Sequence, residues 1–327
     1  MSQLTKTRAS EILGTLRDRK VLVLGDVMLD EFVWGDVTRI SPEGPVPVVD
    51  VRRESVHLGG AANVLANLVA LGAHGWVVGV VGNDRAGDLL RNELRQLNSS
   101  GDEGVIVDDT RRSTTKTRIV AHSQLVVRAD RESRAPVDSQ VEQQIVARLK
   151  ERVAEAHAFV VSDYDKGVVT PAILSEILPF AYERVPVLVD PKVRNFNWYR
   201  PATLITPNHL EALRMSQTED HSDDGSHNAA RVIQQKLGCD AVLITRGDRG
   251  MMLLESGGQP VYVETAAREV YDVTGAGDTV IATLAGALAS GATMLEAATL
   301  ANHAAGLVVG KVGTATASAS ELIGTFD

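Results

Sequence analysis

Short apolar runs alternate along the chain with segments whose apolar residues recur at helical spacing. Residues 21–25 (VLVLG) read as a buried strand, 61–71 (AANVLANLVAL) as a helix ended by Gly72, and 77–81 as the next strand. Residues 86–97 and the longer 141–156 are helical in pattern, the second feeding a strand at 158–162. Pro171 stands where a first-turn proline is tolerated, ahead of a helix to about Ala181. Strands recur at 187–190, 203–206 and 241–245, and two long helices rich in Ala, Gly and Leu, from about Ala276 and Leu295, close the sequence. Alternation of this kind predicts an α/β fold, a mostly parallel central sheet with helices on both faces.

Two segments break the alternation. Residues 31–58 and 113–131 are rich in Val, Thr and Arg and carry period-two stretches at 46–51 and 115–120. They read as antiparallel strands outside the main sheet, a small β lid built from two insertions, because one-sided alternation implies one wet face. The expected organisation is one domain over 1–327 with the lid inserted from about 31–58 and 113–131. Residues 219–228 (EDHSDDGSHN) are polar and acidic and read as a solvated loop, since their acids match no ion-binding spacing.

Composition narrows the function classes. The chain is 44% hydrophobic and 23% charged over 327 residues, ordinary for a globular protein with a substantial core. A formal net charge of -9 argues against a general nucleic-acid binder, and 4% aromatics argue against a base-stacking platform. Cys239 is the single cysteine, so a disulfide framework or a zinc cluster is excluded within the sequence and a reducing, cytoplasmic setting is expected. The charged first twenty residues lack a secretory apolar run, and no stretch reaches the ~18 apolar residues of a membrane span, so no membrane partner is expected.

Four motifs carry chemistry. The strongest is DVTGAGD at 272–278, just before a long helix. Gly275, Ala276 and Gly277 are small enough for backbone N–H groups to face an anion, and the helix adds its positive end. That is a pocket for charge developing on a transferring phosphoryl group, with Asp278 in the first turn to accept a proton from an attacking alcohol. HLGGAAN at 57–63 pairs Gly59 and Gly60, which allow close backbone approach, with Asn63, whose amide suits sugar hydroxyls. Asp26 and Asp30 lie at and beyond the end of the first strand, where ligands of open α/β sheets bind; Asp30 suits hydroxyls, and Asp26 reads equally as a turn or cap residue.

TPNHLE at 206–211 sets Asn208 and Glu211 three apart, either orienting Mg2+-bound water near phosphates or forming a capping box. TRGDRG at 245–250 offers Thr245, Arg246 and the Gly247 backbone to nucleotide phosphates, or simply a hairpin turn before a strand at 251–255. GLVVGK at 306–311 is one residue short of a Walker loop, has Val312 where Ser or Thr is required, and falls late in a helix pattern. No GxGxxG follows the first strand, which disfavours a nicotinamide oxidoreductase.

Taken in order, these motifs resemble those of the ribokinase-like (PfkB) carbohydrate kinase family over nearly the whole chain. The resemblance implies a ribokinase-like fold and ATP-dependent phosphorylation of a sugar hydroxyl. It implies Asp278 as catalytic base with Gly275, Ala276 and Gly277 as anion hole, Asp30, Gly59, Gly60 and Asn63 at the sugar, Asn208 and Glu211 near Mg2+ through water, and Thr245, Arg246 and Gly247 near the nucleotide. It also implies ATP and Mg2+ as cofactors, a monovalent cation such as K+, and a homodimer formed through the lid.

Within the family, GDVMLDEFVWGDVTRISPEGPVPVV, SDYDKG, DPK and TLITPNHLE are similar to the kinases of D-glycero-β-D-manno-heptose 7-phosphate. These make the 1,7-bisphosphate on the path to ADP-heptose, a lipopolysaccharide precursor. The length suits the stand-alone form, with an adenylyltransferase as a separate partner. A substrate already carrying phosphate needs fixed cations, for which Lys116, Arg118 and Arg128 on the lid strands and Lys166 and Lys192 after sheet strands are candidates; each reads singly as a surface charge. Asp165 stands where SDYGKG would have glycine. The alternatives are a kinase of this family for another sugar, sugar phosphate or nucleoside, or a non-catalytic sensor on the same fold.

Overall fold

The computed structural model describes residues 4–97, 101–122, 124–267 and 269–326. Its strands are β1 (Lys20–Gly25), β2 (Val27–Ile40), β3 (Pro47–Gly60), β4 (His74–Gly82), β5 (Val105–Asp108), β6 (Thr114–Ala121), β7 (Gln124–Arg131), β8 (Ala158–Ser162), β9 (Val187–Asp190), β10 (Leu204–Ile205), β11 (Ala241–Thr245), β12 (Met251–Glu255) and β13 (Val261–Val263). Nine of them form one sheet in the order β13-β12-β11-β10-β9-β8-β1-β4-β5. From β11 to β5 every pairing is parallel, and only β12 and β13 run antiparallel.

Chain order reverses between β1 and β8: β4 and β5 are added on one side of β1, and β8 to β11 are added on the other. Loops leaving the carboxyl ends of β1 and β8 therefore diverge, and the crevice they leave is where an open α/β sheet binds its ligand.

Both faces of the sheet are buried. In β1, Val21 and Val23 join an apolar cluster with Leu65, Leu68, Ile281 and Leu284, while Leu22 and Leu24 join a second with Ile145, Leu149, Ile173 and Ile177. Alternation of side chains along a strand divides the residues between the two layers. Helix Ala276–Ala289 is buried on nearly every side, which explains a sequence apolar all round.

The remaining strands form a separate sheet in the order β3-β2-β6-β7. It is not wholly antiparallel as expected: the hairpins β2–β3 and β6–β7 are antiparallel, but the central pair β2–β6 is parallel. Its strands also begin deeper than the period-two pattern suggests. Val27, Met28 and Leu29 are buried, so the first turns of β2 belong to the main core before the strand emerges.

Several further elements differ from the sequence reading, among them β13 and a short helix at Ala319–Ile323. Lys6–Gly14 is a helix capped by Thr5, whose hydroxyl accepts from the Arg8 amide at 3.3 Å, and which buries Ala9, Ile12 and Leu13. β5 extends the parallel sheet by one strand. The acidic stretch at 219–228 is only partly loop, because helix Asp223–Leu237 begins inside it. Ser222 caps that helix, Asp223 and Asp224 favour its positive end, and Ala229, Ala230, Ile233 and Leu237 bury its far side. Among the described residues no helix is long and apolar enough to cross a membrane.

The β1–β8 contact is tight at Gly25, where a Cβ would lie 2.1 Å from the Ser162 carbonyl oxygen. Gly25→Ala is expected to lower stability by about 1–3 kcal/mol through overpacking against backbone. A fall in the urea unfolding midpoint would report it, and an unchanged midpoint would contradict the register.

Candidate active site

Gly275 caps helix Ala276–Ala289 with a left-handed backbone (φ 78°), and no side chain closes the helix end. The Ala276 amide donates to the Val273 carbonyl at 3.2 Å, which leaves the Gly277 and Asp278 amides to face an anion. Glycine is required at this position for a second reason: a Cβ there would stand 2.6 Å from Asn63 Nδ2. The open space lets Asn63 reach past the turn and donate to Asp278 Oδ2 at 2.8 Å.

The amide of Asn63 is itself oriented. Asn67 Nδ2 donates to the Asn63 carbonyl (2.9 Å) and to its Oδ1 (3.2 Å), and Thr279 Oγ1 donates to Asn67 Oδ1 at 2.8 Å. Asn63, Asn67, Asp278 and Thr279 are all buried. The network fixes which side of each amide is donor, so an N–H and not an oxygen faces the carboxylate. Asn63, expected at the sugar, has its side-chain amide bonded to the Asp278 carboxylate.

The other carboxylate oxygen, Asp278 Oδ1, accepts from the Tyr164 hydroxyl at 2.8 Å. Burial pushes the Asp278 carboxyl up to about 6, opposed by the hydrogen bonds from Asn63 and Tyr164 and reinforced by the nearby charge of Asp30. A carboxylate with this affinity is matched to proton transfer near neutral pH.

Tyr164 belongs to SDYDKG, the loop leaving β8. Asp26, at the end of β1, accepts the backbone N–H groups of Tyr164 (2.8 Å), Lys166 (3.1 Å) and Val168 (3.2 Å). Its role is that of the turn residue rather than of a ligand. Asp165 has φ 56°, a left-handed conformation that explains why glycine suits this position, and its carboxylate faces away to Arg194 at 3.1 Å.

Of the candidate cations, most are committed. Arg118 pairs with Asp30, Lys166 with Glu132 at 2.7 Å, Lys192 with Glu211 at 2.6 Å, and Arg128 with Asp130 at 2.9 Å on the surface. Lys116 forms no ion pair among the described residues, and burial pushes its ammonium down. Its Nζ lies 5.1 Å from the centre of the Tyr164 ring, and Lys192 Nζ lies 5.4 Å from the same ring. Asp30 passes directly beside Gly59, where a Cβ would be 2.5 Å from Asp30 Oδ2.

TPNHLE forms a complete capping box: Asn208 Oδ1 accepts the Glu211 amide (2.9 Å) and Glu211 Oε2 accepts the Asn208 amide (3.1 Å). Because Glu211 Oε1 takes the Lys192 ammonium, both of its oxygens are occupied. Asp190, at the carboxyl end of β9, was not among the sequence candidates, although DPK after a strand end marks the right place. Burial pushes its carboxyl up to about 8, helped by Glu211, Asp278 and Asp163 and opposed by Lys192.

Among the described residues no three acidic, His or Cys side chains converge to hold a metal directly. The excess of buried carboxyls around Asp190 and Glu211 nevertheless fits a cation that keeps its water and bonds mainly to phosphate, as Mg2+ does.

Beyond the glycine turn lies a cavity of about 470 Å³ lined by Thr245, Gly247, Met251, Ala276, Gly277, Val280 and Asn302, among others. It joins the TRGDRG turn to the anion turn in one mainly apolar slot, suited to a purine base and its phosphates. Arg246 does not line it. Its side chain is buried against Asp223 (2.8 Å) and lies 5.0 Å over the Tyr262 ring. TRGDRG is also the turn between antiparallel β11 and β12.

A switch-point crevice with a buried carboxylate at an uncapped helix start, beside a nucleotide-sized slot, defines an α/β kinase of the ribokinase-like class. Solved structures share the fold. That of phosphofructokinase-2 from Escherichia coli in complex with potassium aligns with TM-score 0.78 at 18% identity, over 94% of this chain and 98% of that one. Ribokinase of Arabidopsis thaliana complexed with ribose and ATP aligns with TM-score 0.71 at 19% identity, over 94% and 99%. Residues 18–321 match the profile of the pfkB family carbohydrate kinases, and the chain belongs to that family. It is 45% identical over 313 residues to the bifunctional protein HldE of Pelobacter propionicus, covering 95% of this chain and 64% of that protein. It is 46% identical over 308 residues to the HldE of Geobacter sulfurreducens, covering 93% and 62%. The chain thus spans just under two thirds of the length of these relatives.

Asp190 generates a stability prediction. Its folded-state carboxyl binds a proton more tightly than the unfolded chain does, so its contribution is fully present below about pH 4 and is lost as pH rises through about 8. Asp190→Asn should raise the thermal unfolding midpoint at about pH 9 and leave it nearly unchanged at about pH 5. A lowered midpoint at the higher pH would show that the ionised group is stabilising.

Proposed function

We propose that this carbohydrate kinase transfers the γ-phosphoryl group of ATP to the anomeric hydroxyl of D-glycero-β-D-manno-heptose 7-phosphate, giving the 1,7-bisphosphate used in ADP-heptose synthesis for lipopolysaccharide. The carrying observation is the buried Asp278 carboxylate beside the Tyr164 ring, against which Lys116 and Lys192 both lie. A neutral sugar needs no unpaired ammonium group here; a sugar phosphate does, and Lys116 supplies one, with Lys192 already paired with Glu211. Similarity of the β2–β3, SDYDKG, DPK and TPNHLE segments to heptose 7-phosphate kinases supports the same substrate.

In this reading ATP occupies the slot between the TRGDRG turn and Ala276–Gly277, and the sugar lies over Asp30, Gly59 and Gly60. The β2–β3–β6–β7 sheet acts as a lid that excludes water, which would otherwise accept the phosphoryl group. Asp278 accepts the hydroxyl proton as the sugar oxygen bonds to the γ-phosphorus. The bond from that phosphorus to the bridging oxygen breaks and ADP leaves, with no covalent enzyme intermediate. First-turn amides of helix Ala276–Ala289 meet the transferring charge. Mg2+ arriving with ATP would be held through water at Asn208 and Glu211 and would neutralise phosphate charge. A monovalent cation such as K+ belongs to the same reading, as does a cytoplasmic location, where ATP and a reduced Cys239 are found.

We further propose a homodimer through the lid. Ile40, Val51, Leu125 and Val127 are apolar yet 62%, 49%, 59% and 48% exposed on that sheet. Several exposed apolar side chains on one small sheet mark an interaction surface. Leu125→Glu with Val127→Glu should shift sedimentation from dimer to monomer; a native protein that sediments as a monomer would contradict the proposal.

ADP release should be measured with Mg2+ and ATP against the heptose phosphate, fructose phosphates, ribose and adenosine. Turnover with the heptose phosphate above all others is expected, and Asp278→Asn should lower it by ~10²–10⁴. Preference for another acceptor would keep the kinase and replace the substrate, whereas ligand binding without ADP release on any of them would favour a sensor.

A further inference from the structure

We infer that Tyr164 is a positioning residue: its hydroxyl holds the Asp278 carboxylate in line, and its ring holds together the two lysines that meet an anionic substrate. The inference rests on reading Asp278 as the base.

Three observations carry it. First, Asp278 has two donors, one on each oxygen, the buried Asn63 and the half-buried Tyr164, each at 2.8 Å. With only Asn63 left, the carboxylate is free to rotate about its last bond, and the oxygen that must accept the proton is no longer directed. Second, the ring is the common contact of two cations from different parts of the fold. Lys116 is carried by β6 of the small sheet, and Lys192 follows β9 of the main sheet. An aromatic face attracts an ammonium group without neutralising it, so Lys116, which has no carboxylate partner among the described residues, stays available to phosphate, whereas Lys192 is also paired with Glu211 at 2.6 Å.

Third, the residue is fixed from behind. Asp26 bonds the Tyr164 amide at 2.8 Å, and the ring comes close enough to Gly60 that a Cβ there would be 3.5 Å from Tyr164 Cδ2. A side chain pinned at its backbone and touching base and cations at its tip is built to set their separation. It also ties the small sheet, through Lys116, to the reacting centre.

Hydroxyl and ring are separable by substitution. Tyr164→Phe keeps the ring and is expected to lower kcat by ~10–100-fold, with KM for the sugar phosphate within about twofold of native. Tyr164→Leu, with Tyr164→Met as a second aliphatic replacement, is expected to match that kcat loss and also raise KM for the sugar phosphate by about tenfold or more.

The acceptor used is whichever the native enzyme phosphorylates fastest, so a wrong substrate assignment does not decide the result. A readout independent of any substrate is the carboxyl carbon signal of Asp278 in 13C NMR, identified by its loss in Asp278→Asn. Its titration midpoint should move up by about one pH unit in Tyr164→Phe, because a donor to the charged form is lost. Native kcat together with a native midpoint in Tyr164→Phe would overturn the hydroxyl role. Aliphatic variants with the KM of Tyr164→Phe would overturn the role of the ring.

Discussion

An anion kept out of water at Asp278 is the constraint around which the rest of the crevice is arranged. A carboxylate in such a place is costly unless its oxygens are bonded, and desolvation raises its proton affinity even then. Both oxygens are met by donors that come from distant parts of the chain, Asn63 from the start of one helix and Tyr164 from the loop after β8. Each donor is in turn held, Asn63 by Asn67 and Thr279, Tyr164 by Asp26. Glycine at 275 follows from the same demand, since any side chain would displace the Asn63 amide.

Placement of this group at the switch point brings other acids with it. Asp26, Asp163 and Asp190 all sit at or just after strand ends, and burial raises the carboxyl of each. Asp26 and Asp163 are satisfied by backbone and side-chain donors and serve to fold the SDYDKG loop. Asp190 is bordered by Lys192 but also by Glu211, so a second negative charge is disfavoured there and its carboxyl, raised to about 8, keeps its proton at neutral pH. That corner suits a hydrated divalent cation better than another carboxylate ligand set would. It also explains why several cations near the crevice are already paired: they offset the acids of the fold before any substrate arrives.

Much of this was legible in the sequence because it rests on local rules. β1, β8, β9 and β11 are short apolar runs ended by polar turns, and the glycine turn that opens helix Ala276–Ala289 is plain in DVTGAGD. What escaped depends on contacts across the fold. Tyr164 looks like any loop aromatic until β8 is set beside β1. Asn63 has the chemistry of a sugar ligand until Gly275 allows it to reach Asp278. Arg246 stands between Thr245 and Gly247, which line the apolar slot, yet its own side chain goes to Asp223 and Tyr262. The acidic run at 219–228 misled for the opposite reason: its composition is that of a loop, but Ser222 and two aspartates are also what a helix start requires.

The central claim is that a buried Asp278 carboxylate takes the proton of the attacking alcohol. The most direct measurement is the pH dependence of phosphoryl transfer in a single turnover, for native enzyme and Asp278→Asn. With the carboxyl at about 6, the native rate should fall away as pH drops through that value, because only the ionised form accepts a proton. The variant should be slow at every pH and show no acidic limb of its own. A native limb near the ordinary carboxylate range of ~4, or the same limb retained in the variant, would contradict the account.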